Sequence, residues 1–153
     1  MGEVIGLIGV GKMGSALLSR LTLAEKTVHA FDVKPSAMDA AREGGAETKG
    51  SAAEIAKDAG LIHVFVHDDG QVFNATIEPN GALESAAPGT IILLHSTILP
   101  ATTKRVAEAA AKKGIHVIDA SVTSVPRLVR NGEATWLVGG PDDIVAKVRP
   151  HLE

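Results

Sequence analysis

A glycine-rich turn between an apolar strand and a helix constrains the fold of this chain more than any other feature. Residues 4–8 are an apolar run of the length of a buried strand, and Gly-Val-Gly-Lys-Met-Gly follows at residues 9–14. Leucines at helical spacing predict a helix over residues 15–21. A second apolar run, residues 27–31, predicts the next strand, and Asp32 comes directly after it.

The spacing G-x-G-x-x-G in this setting is typical of a dinucleotide-binding turn. Gly9 allows a sharp exit from the strand, Gly11 lets a pyrophosphate approach the backbone, and Gly14 permits close packing of helix on strand. The phosphates would bind free N–H groups at the positive end of the helix. A tight turn without a ligand is the alternative, but it would not need an acidic residue after the second strand.

Asp32 indicates which dinucleotide the turn would take. A carboxylate at this point can accept hydrogen bonds from both ribose hydroxyls of an adenosine, and its charge would repel a 2′-phosphate. The sequence therefore favours NAD over NADP. The expected cofactor contacts are Asp32 and the six residues of the turn: Gly9, Val10, Gly11, Lys12, Met13 and Gly14.

The composition of the chain limits the kinds of molecule that it is expected to bind. The 153 residues suffice for one domain with a full core, and 45% hydrophobic with 22% charged residues is ordinary for a globular protein. A net charge of −3 without a long basic run argues against nucleic acid or an anionic membrane as partner. The N-terminus lacks a basic leader segment, and no stretch approaches the ~20 apolar residues that span a bilayer, so we expect a cytoplasmic protein.

No metal site is expected. The chain has no cysteine, which excludes disulfides, thiol catalysis and cysteine–metal sites. His63 and His67 lie on a predicted strand, where four residues span about 13 Å, too far for one ion. The acidic pairs at 68–69 and 142–143 are interpreted as loop and helix-start charges.

Strand and helix patterns alternate along the rest of the chain. Further apolar strands are predicted at residues 61–66, 90–94, 115–119 and 134–138, with helices between them, and a long loop at 120–133. This alternation predicts a single α/β domain over residues 1–153, with a doubly wound, mostly parallel sheet and right-handed crossovers. In such sheets, ligands bind at the carboxyl ends of the strands. Polar residues directly follow several of the predicted strands, so we expect them to lie together at this edge.

Four segments, in order, match the pattern of one known kind of cofactor domain. They are the glycine turn with Met13 before its last glycine, Phe-Asp-Val-Lys-Pro at 31–35, His-Ser-Thr-Ile-Leu-Pro at 95–100, and Asp-Ala-Ser-Val-Thr at 119–123 with Val-Gly-Gly downstream. Together they resemble the Rossmann-type cofactor domain of the β-hydroxyacid dehydrogenase family, which includes 3-hydroxyisobutyrate, tartronate semialdehyde and 6-phosphogluconate dehydrogenases. The resemblance covers nearly the whole chain.

The resemblance implies an NAD-dependent oxidoreductase that transfers a hydride between the nicotinamide and a small hydroxyacid or a related small-molecule substrate. It implies that Ser96 and Thr97 border the nicotinamide and that Thr123 and Ser124 face the substrate. The remaining expected cofactor contacts lie in the loop after the predicted strand that begins at residue 61, at the carboxyl edge of the sheet: Val66, His67 and Asp68.

The chain departs from the family in the substrate segment. The family usually reads Asp-Ala-Pro-Val-Ser-Gly-Gly there, with another glycine three residues later. Ser124, Val125 and Leu128 stand in place of these three glycines, whereas Thr123 keeps a hydroxyl. Side chains therefore replace bare backbone where a substrate carboxylate normally lies, which predicts a different substrate or a rearranged loop.

The family's proton-transfer lysine is also absent. It belongs to a G-x-x-G-x-x-x-K-x-x-x-N helix of a C-terminal helical domain, and Lys147 lacks that context, so no catalytic residue is assigned. We expect this chain to bind NAD and to turn over little or nothing by itself. A non-catalytic NAD(H)-sensing or nucleotide-binding module is the alternative. The family dimerises largely through the helical domain, so a homo-oligomer is left open.

Overall fold

A seven-stranded sheet organises residues 3–153, the part of the chain that the computed structural model describes. The expected domain also includes Met1 and Gly2, which lie outside the described residues. The strands are β1 Val4–Ile8, β2 Thr27–Phe31, β3 Glu47–Thr48, β4 Leu61–Val64, β5 Ile91–Leu94, β6 His116–Val122 and β7 Trp136–Gly139. Their order across the sheet is β3-β2-β1-β4-β5-β6-β7, and only β7 runs antiparallel to its neighbour within this sheet.

Helices cover both faces of the sheet, as a doubly wound fold requires. They are α1 Lys12–Leu23, α2 Pro35–Glu43, α3 Ala52–Asp58, α4 Asp69–Thr76, α5 Pro100–Ala111, α6 Pro126–Asn131 and α7 Asp142–Leu152, with a 3-10 turn at Ala82–Glu84. One face packs α3, α4 and α5, and the other packs α1, α2, α6 and α7. The predicted α/β fold with a mostly parallel sheet is therefore confirmed. None of the helices in residues 3–153 combines the length and the apolar character needed to cross a bilayer.

The central strands are apolar on both sides because each is covered twice. In β4, Ile62 and Val64 are fully buried towards α3, α4 and α5, while Leu61 is buried towards α7. Buried aliphatic side chains of this size stabilise the fold by about 1.5–3 kcal/mol each. The buried set is therefore largely aliphatic, which agrees with an aromatic content of 3%.

The prediction of a long loop at residues 120–133 is wrong, because part of this segment forms a strand and a helix. Strand β6 continues to Val122, and helix α6 begins at Pro126 and ends at Asn131. Gly132, in the left-handed region with φ 75°, caps its C-terminus. A helix of six residues has less than two turns, so its periodicity cannot be read from the sequence. Val129, buried against α1, holds it in place.

Candidate functional site

The strand order places a crevice at the carboxyl ends of β1 and β4. From β1 the chain moves outward to β2 and β3, then returns to β4 on the other side of β1. Such a reversal of direction is where open α/β sheets bind their ligands. The glycine turn after β1, Asp32 after β2 and the loops after β4 and β5 all lie at this edge, so the structure brings together the segments that the sequence placed there.

The glycine turn is packed so tightly that two of its glycines leave no room for a side chain. Gly9 has φ +89°, donates its N–H to the Phe31 carbonyl oxygen at 2.9 Å, and would press any Cβ onto the Phe65 carbonyl oxygen. A Cβ at Gly14 would overlap the carbonyl oxygen of Gly9. The turn is thus held between β2, β4 and the first turn of α1.

Gly11 differs from these two glycines, because its surroundings are open. A Cβ there would meet no atom within 4 Å, and the residue is exposed at the N-cap of α1. The N–H groups of Gly11, Lys12 and Met13 have no hydrogen-bond acceptor within residues 3–153. Free donors beside open space at a helix N-terminus fit the pyrophosphate of a dinucleotide.

Asp32 links the end of β2 to the glycine turn. Its Oδ2 accepts the N–H of Val10 at 2.7 Å, and its Oδ1 accepts the N–H of Lys34 at 2.9 Å. Each carboxylate oxygen has a second lone pair, so two acceptor positions are left for ribose hydroxyls. The carboxylate therefore also holds the turn, a contact that the sequence did not indicate.

The Ser96 hydroxyl is committed to the protein backbone. It donates to the Val66 carbonyl oxygen at 2.6 Å and accepts the Val66 N–H at 3.3 Å, and the residue is 6% exposed. Thr97 is exposed, and its hydroxyl makes no hydrogen bond to the described residues. Of the two residues expected to border the nicotinamide, only Thr97 has a free hydroxyl.

The loop after β4 is hydrogen-bonded to the N-terminus of helix α4. Asp68 accepts the Gln71 N–H at 2.8 Å and so caps α4, while the exposed His67 donates its N–H to the Gln71 side-chain oxygen at 2.8 Å. The next residue, Asp69, accepts hydrogen bonds from Leu99 and Thr102 at the start of α5. Nothing in the sequence indicated this contact.

The expected substrate residues lie between β6 and α6. The N–H of Thr123 donates to the Thr135 carbonyl oxygen at 3.0 Å, and its hydroxyl reaches the same oxygen at 3.4 Å. Ser124 is half-buried, and the side chain of Val125 is 53% exposed directly before Pro126. An apolar side chain thus projects where the resemblance predicts a glycine.

Two buried histidines lie near the carboxyl ends of β4 and β5: His63 is in β4, and His95 directly follows β5. His95 Nδ1 is 2.7 Å from the Ala120 carbonyl oxygen and must carry a proton, so its Nε2 accepts a hydrogen bond from His63 Nδ1 at 2.8 Å. His63 Nε2 has no partner within the described residues. The two rings stack at 5.1 Å between centroids, and the Trp136 ring lies 4.8 Å from His95.

Burial keeps both histidines neutral. It lowers the pKa of His95 from 6.5 to about 4, against the opposing effect of the Ala120 carbonyl. Burial first, and then the neighbouring His95 and His151, hold the pKa of His63 well below its usual range. Among residues 3–153 no three histidine or acidic side chains are grouped so that they could hold a metal ion.

A doubly wound sheet with a glycine turn at its switch point and a carboxylate after its second strand defines a Rossmann-type dinucleotide-binding domain. The comparison with known families agrees with this class. The chain belongs to the family described as the NAD-binding domain of 6-phosphogluconate dehydrogenase, whose model matches residues 4–153.

Individual relatives confirm the resemblance to β-hydroxyacid dehydrogenases. An uncharacterised oxidoreductase of Mycobacterium tuberculosis is 34% identical over 145 residues, which are 95% of this chain and 49% of that protein. The 3-hydroxyisobutyrate dehydrogenase of Pseudomonas aeruginosa is 33% identical over 149 residues, 97% of this chain and 50% of that protein. The solved structure of M. tuberculosis 3-hydroxyisobutyrate dehydrogenase with L-serine has a TM-score of 0.90 at 26% identity, covering 100% of this chain and 52% of that one. The chain spans about half the length of these relatives.

Proposed function

We propose that this chain is the cofactor-binding half of an NAD-dependent oxidoreductase that transfers a hydride between the nicotinamide and a small hydroxyacid or a related substrate. The observation that carries the proposal is the position of Asp32, whose carboxylate contacts the glycine turn and keeps acceptor positions free. The bound nicotinamide supplies the hydride chemistry, and the protein supplies binding and orientation.

The proposed cofactor contacts follow the carboxyl edge of the sheet. The turn at residues 9–14 would bind the pyrophosphate through its unpaired N–H groups, and Asp32 would bind the adenosine ribose. Val66, His67 and Asp68 would flank the cofactor, and Thr97 would border the nicotinamide with its free hydroxyl. Ser96 contributes by fixing the Val66 backbone, since its own hydroxyl is already bonded there.

We further propose that Thr123 and Ser124 face the substrate. Relatives of this chain are named for 3-hydroxyisobutyrate, and one solved relative holds L-serine. The exposed Val125 and the half-buried Leu128 add apolar surface near this segment. The substrate would therefore be less compact or less polar on that side than the family's small hydroxyacids.

The domain organisation is part of the proposal. Residues 1–153 would form one dinucleotide-binding domain, and the relatives are about twice as long. The proton-transfer lysine of the family would lie in a further helical domain, so residues 1–153 alone would bind NAD with little turnover.

A parallel calorimetric titration with NADH and NADPH tests the cofactor assignment. We expect NADH to bind about tenfold or more tightly than NADPH, and Asp32→Asn to remove most of this preference because the repelling charge is lost. Asn can still accept one backbone N–H, so the turn should keep its shape better than in Asp32→Ala. Asp39→Asn, which alters an exposed acid on the neighbouring α2, is the matched control. Equal affinity for both cofactors, or a preference that survives in Asp32→Asn, would show the assignment to be wrong.

A non-catalytic NAD(H)-sensing module is the second candidate, and the side chains at 124, 125 and 128 favour it. The two candidates separate when NADH formation is followed with 3-hydroxyisobutyrate and L-serine on the gene's complete product. Turnover of either compound supports the dehydrogenase, whereas tight NAD binding without turnover of these compounds or other hydroxyacids supports the sensing module.

A further inference from the structure

The loops after β4 and β5 form one side of the candidate crevice. The two strands end at the same level, since Val64 pairs with Leu94 in the sheet register. Both loops lie across the switch point from Asp32 and β2. If the adenosine is bound at β2, as the proposed function states, the nicotinamide half of an extended dinucleotide extends towards these two loops.

One carboxylate joins the two loops. Asp69, the first residue of α4, uses Oδ1 to accept the Leu99 N–H at 3.0 Å and the Thr102 hydroxyl. These two hydrogen bonds lower the pKa of Asp69, the Thr102 hydroxyl having the larger effect, so the group is charged at neutral pH.

This contact lies at the N-terminus of helix α5. Leu99 occupies the N-cap position and has no side chain that can accept a hydrogen bond, and Pro100 follows it. An acceptor at a helix N-terminus normally belongs to the side chain of the N-cap residue. Here Asp69, on another element, accepts the N–H of the N-cap residue Leu99. A negative charge at this point is also favourable for the α5 dipole.

The Ser96 hydroxyl makes a second connection between the same loops. It is bonded in both directions to the Val66 backbone, and Asp69 fixes Leu99 three residues further along. Thr97 lies between these two fixed points, and its exposed hydroxyl is free of hydrogen bonds to residues 3–153. The loop is therefore held on both sides of Thr97, the residue that the proposed function places beside the nicotinamide.

We propose that Asp69 is a positioning residue for the nicotinamide end of the cofactor, acting by holding the loop that carries Thr97. This inference rests on the proposed function. A loop that is ordered before the cofactor binds gives tighter binding, because no free energy is lost in ordering the loop during binding. Loss of Asp69 should therefore weaken the nicotinamide contacts and leave the adenosine and pyrophosphate contacts as they are.

Two ligands separate these contacts. ADP-ribose has the adenosine and pyrophosphate of NADH but lacks the nicotinamide. Asp69→Ala removes both hydrogen bonds and leaves the loop to be ordered on binding. We therefore expect it to weaken NADH binding about tenfold and to change ADP-ribose binding less than about twofold. Asp69→Asn keeps an oxygen acceptor at the same place and should restore most of the NADH affinity.

Further variants keep the result interpretable if Asp69→Ala does not fold. Thr102→Val removes one of the two hydrogen bonds and should show the same selectivity with a smaller loss. Asp142→Ala is the matched control, since it removes an exposed acid from the first turn of α7. Urea unfolding of each variant shows that the protein titrated is folded.

The outcomes distinguish the two proposals. If the wild-type chain binds neither NADH nor ADP-ribose, the proposed function fails, and this inference fails with it. If the wild-type chain binds both ligands, while Asp69→Ala weakens both equally or neither, the proposed function stands and the role of Asp69 is refuted. A selective loss for NADH that Asp69→Asn restores supports the positioning role.

Discussion

Gly14→Ala is expected to destabilise the fold severely, whereas Gly11→Ala is expected to weaken cofactor binding strongly in a protein that remains folded. The added Cβ at Gly14 would overlap the carbonyl oxygen of Gly9, which is backbone and is fixed by the strand before it. Overpacking of this kind costs about 3 kcal/mol or more, a large part of the ~5–15 kcal/mol that stabilises a typical domain.

Gly11, in contrast to Gly14, has open space where a side chain would lie. A Cβ there meets no protein atom within 4 Å, and the residue has an ordinary φ of −74°. The cost to stability should therefore stay below about 1 kcal/mol, the range of N-cap substitutions. The methyl group would instead fill the space that the pyrophosphate needs, and we expect NADH binding to weaken about a hundredfold, roughly 3 kcal/mol.

Urea unfolding followed by circular dichroism, together with calorimetric titration of NADH, checks both variants. Each serves as the control for the other, because they add the same methyl group to the same turn. Wild-type NADH affinity in Gly11→Ala would show that no pyrophosphate binds at this turn. Wild-type stability in Gly14→Ala would show that the turn can widen.

Acidification from pH 7.5 to pH 5 is expected to destabilise the protein through His63 and His95. Both have lowered pKa values in the folded state, so the unfolded chain, with an ordinary histidine pKa near 6.5, binds more protons below that pH. The contribution of the two neutral histidines to the free energy of unfolding is therefore fully present above about pH 6.5, and it is lost as the pH decreases below that value. For His95 the loss is about 1.4 kcal/mol per pH unit between about pH 6.5 and pH 4, a total of about 3 kcal/mol. His63 contributes a loss in the same direction.

Urea midpoints measured between pH 5 and pH 7.5 test this expectation, in a range where most carboxylates do not titrate. His63→Leu should make the dependence of the urea midpoint on pH less steep, because it removes one of the two imidazoles whose pKa is lowered by burial. Identical slopes in wild type and His63→Leu would mean that the histidine pair does not control the acid sensitivity.

The features that the sequence predicts correctly are those whose cause is local. The turn of residues 9–14 is predictable because an apolar strand, three spaced glycines and a leucine-lined helix follow one another within about 20 residues. Asp32 can be placed for the same reason, since it comes directly after β2. The apolar character of β4 and β5 is sufficient to predict their burial and the parallel sheet.

The features that the sequence does not predict are contacts between residues far apart in the chain. The Ser96 hydroxyl contacts Val66, and the Asp69 carboxylate contacts Leu99 and Thr102, each about 30 positions away. These contacts exist only because β4 and β5 are neighbours in register. The pattern of residues therefore locates Ser96 at the crevice, but it cannot show that its hydroxyl is used by the backbone.

The stacked group around His95 has a further consequence. The chain has one tryptophan and no tyrosine, so its intrinsic fluorescence comes essentially from the single indole of Trp136. That ring lies 4.8 Å from the ring of His95 and 6.4 Å from that of Phe65, beside the loops after β4 and β5. The protein thus has an optical probe at the edge of its own candidate site, and the probe is already present in the unmodified chain.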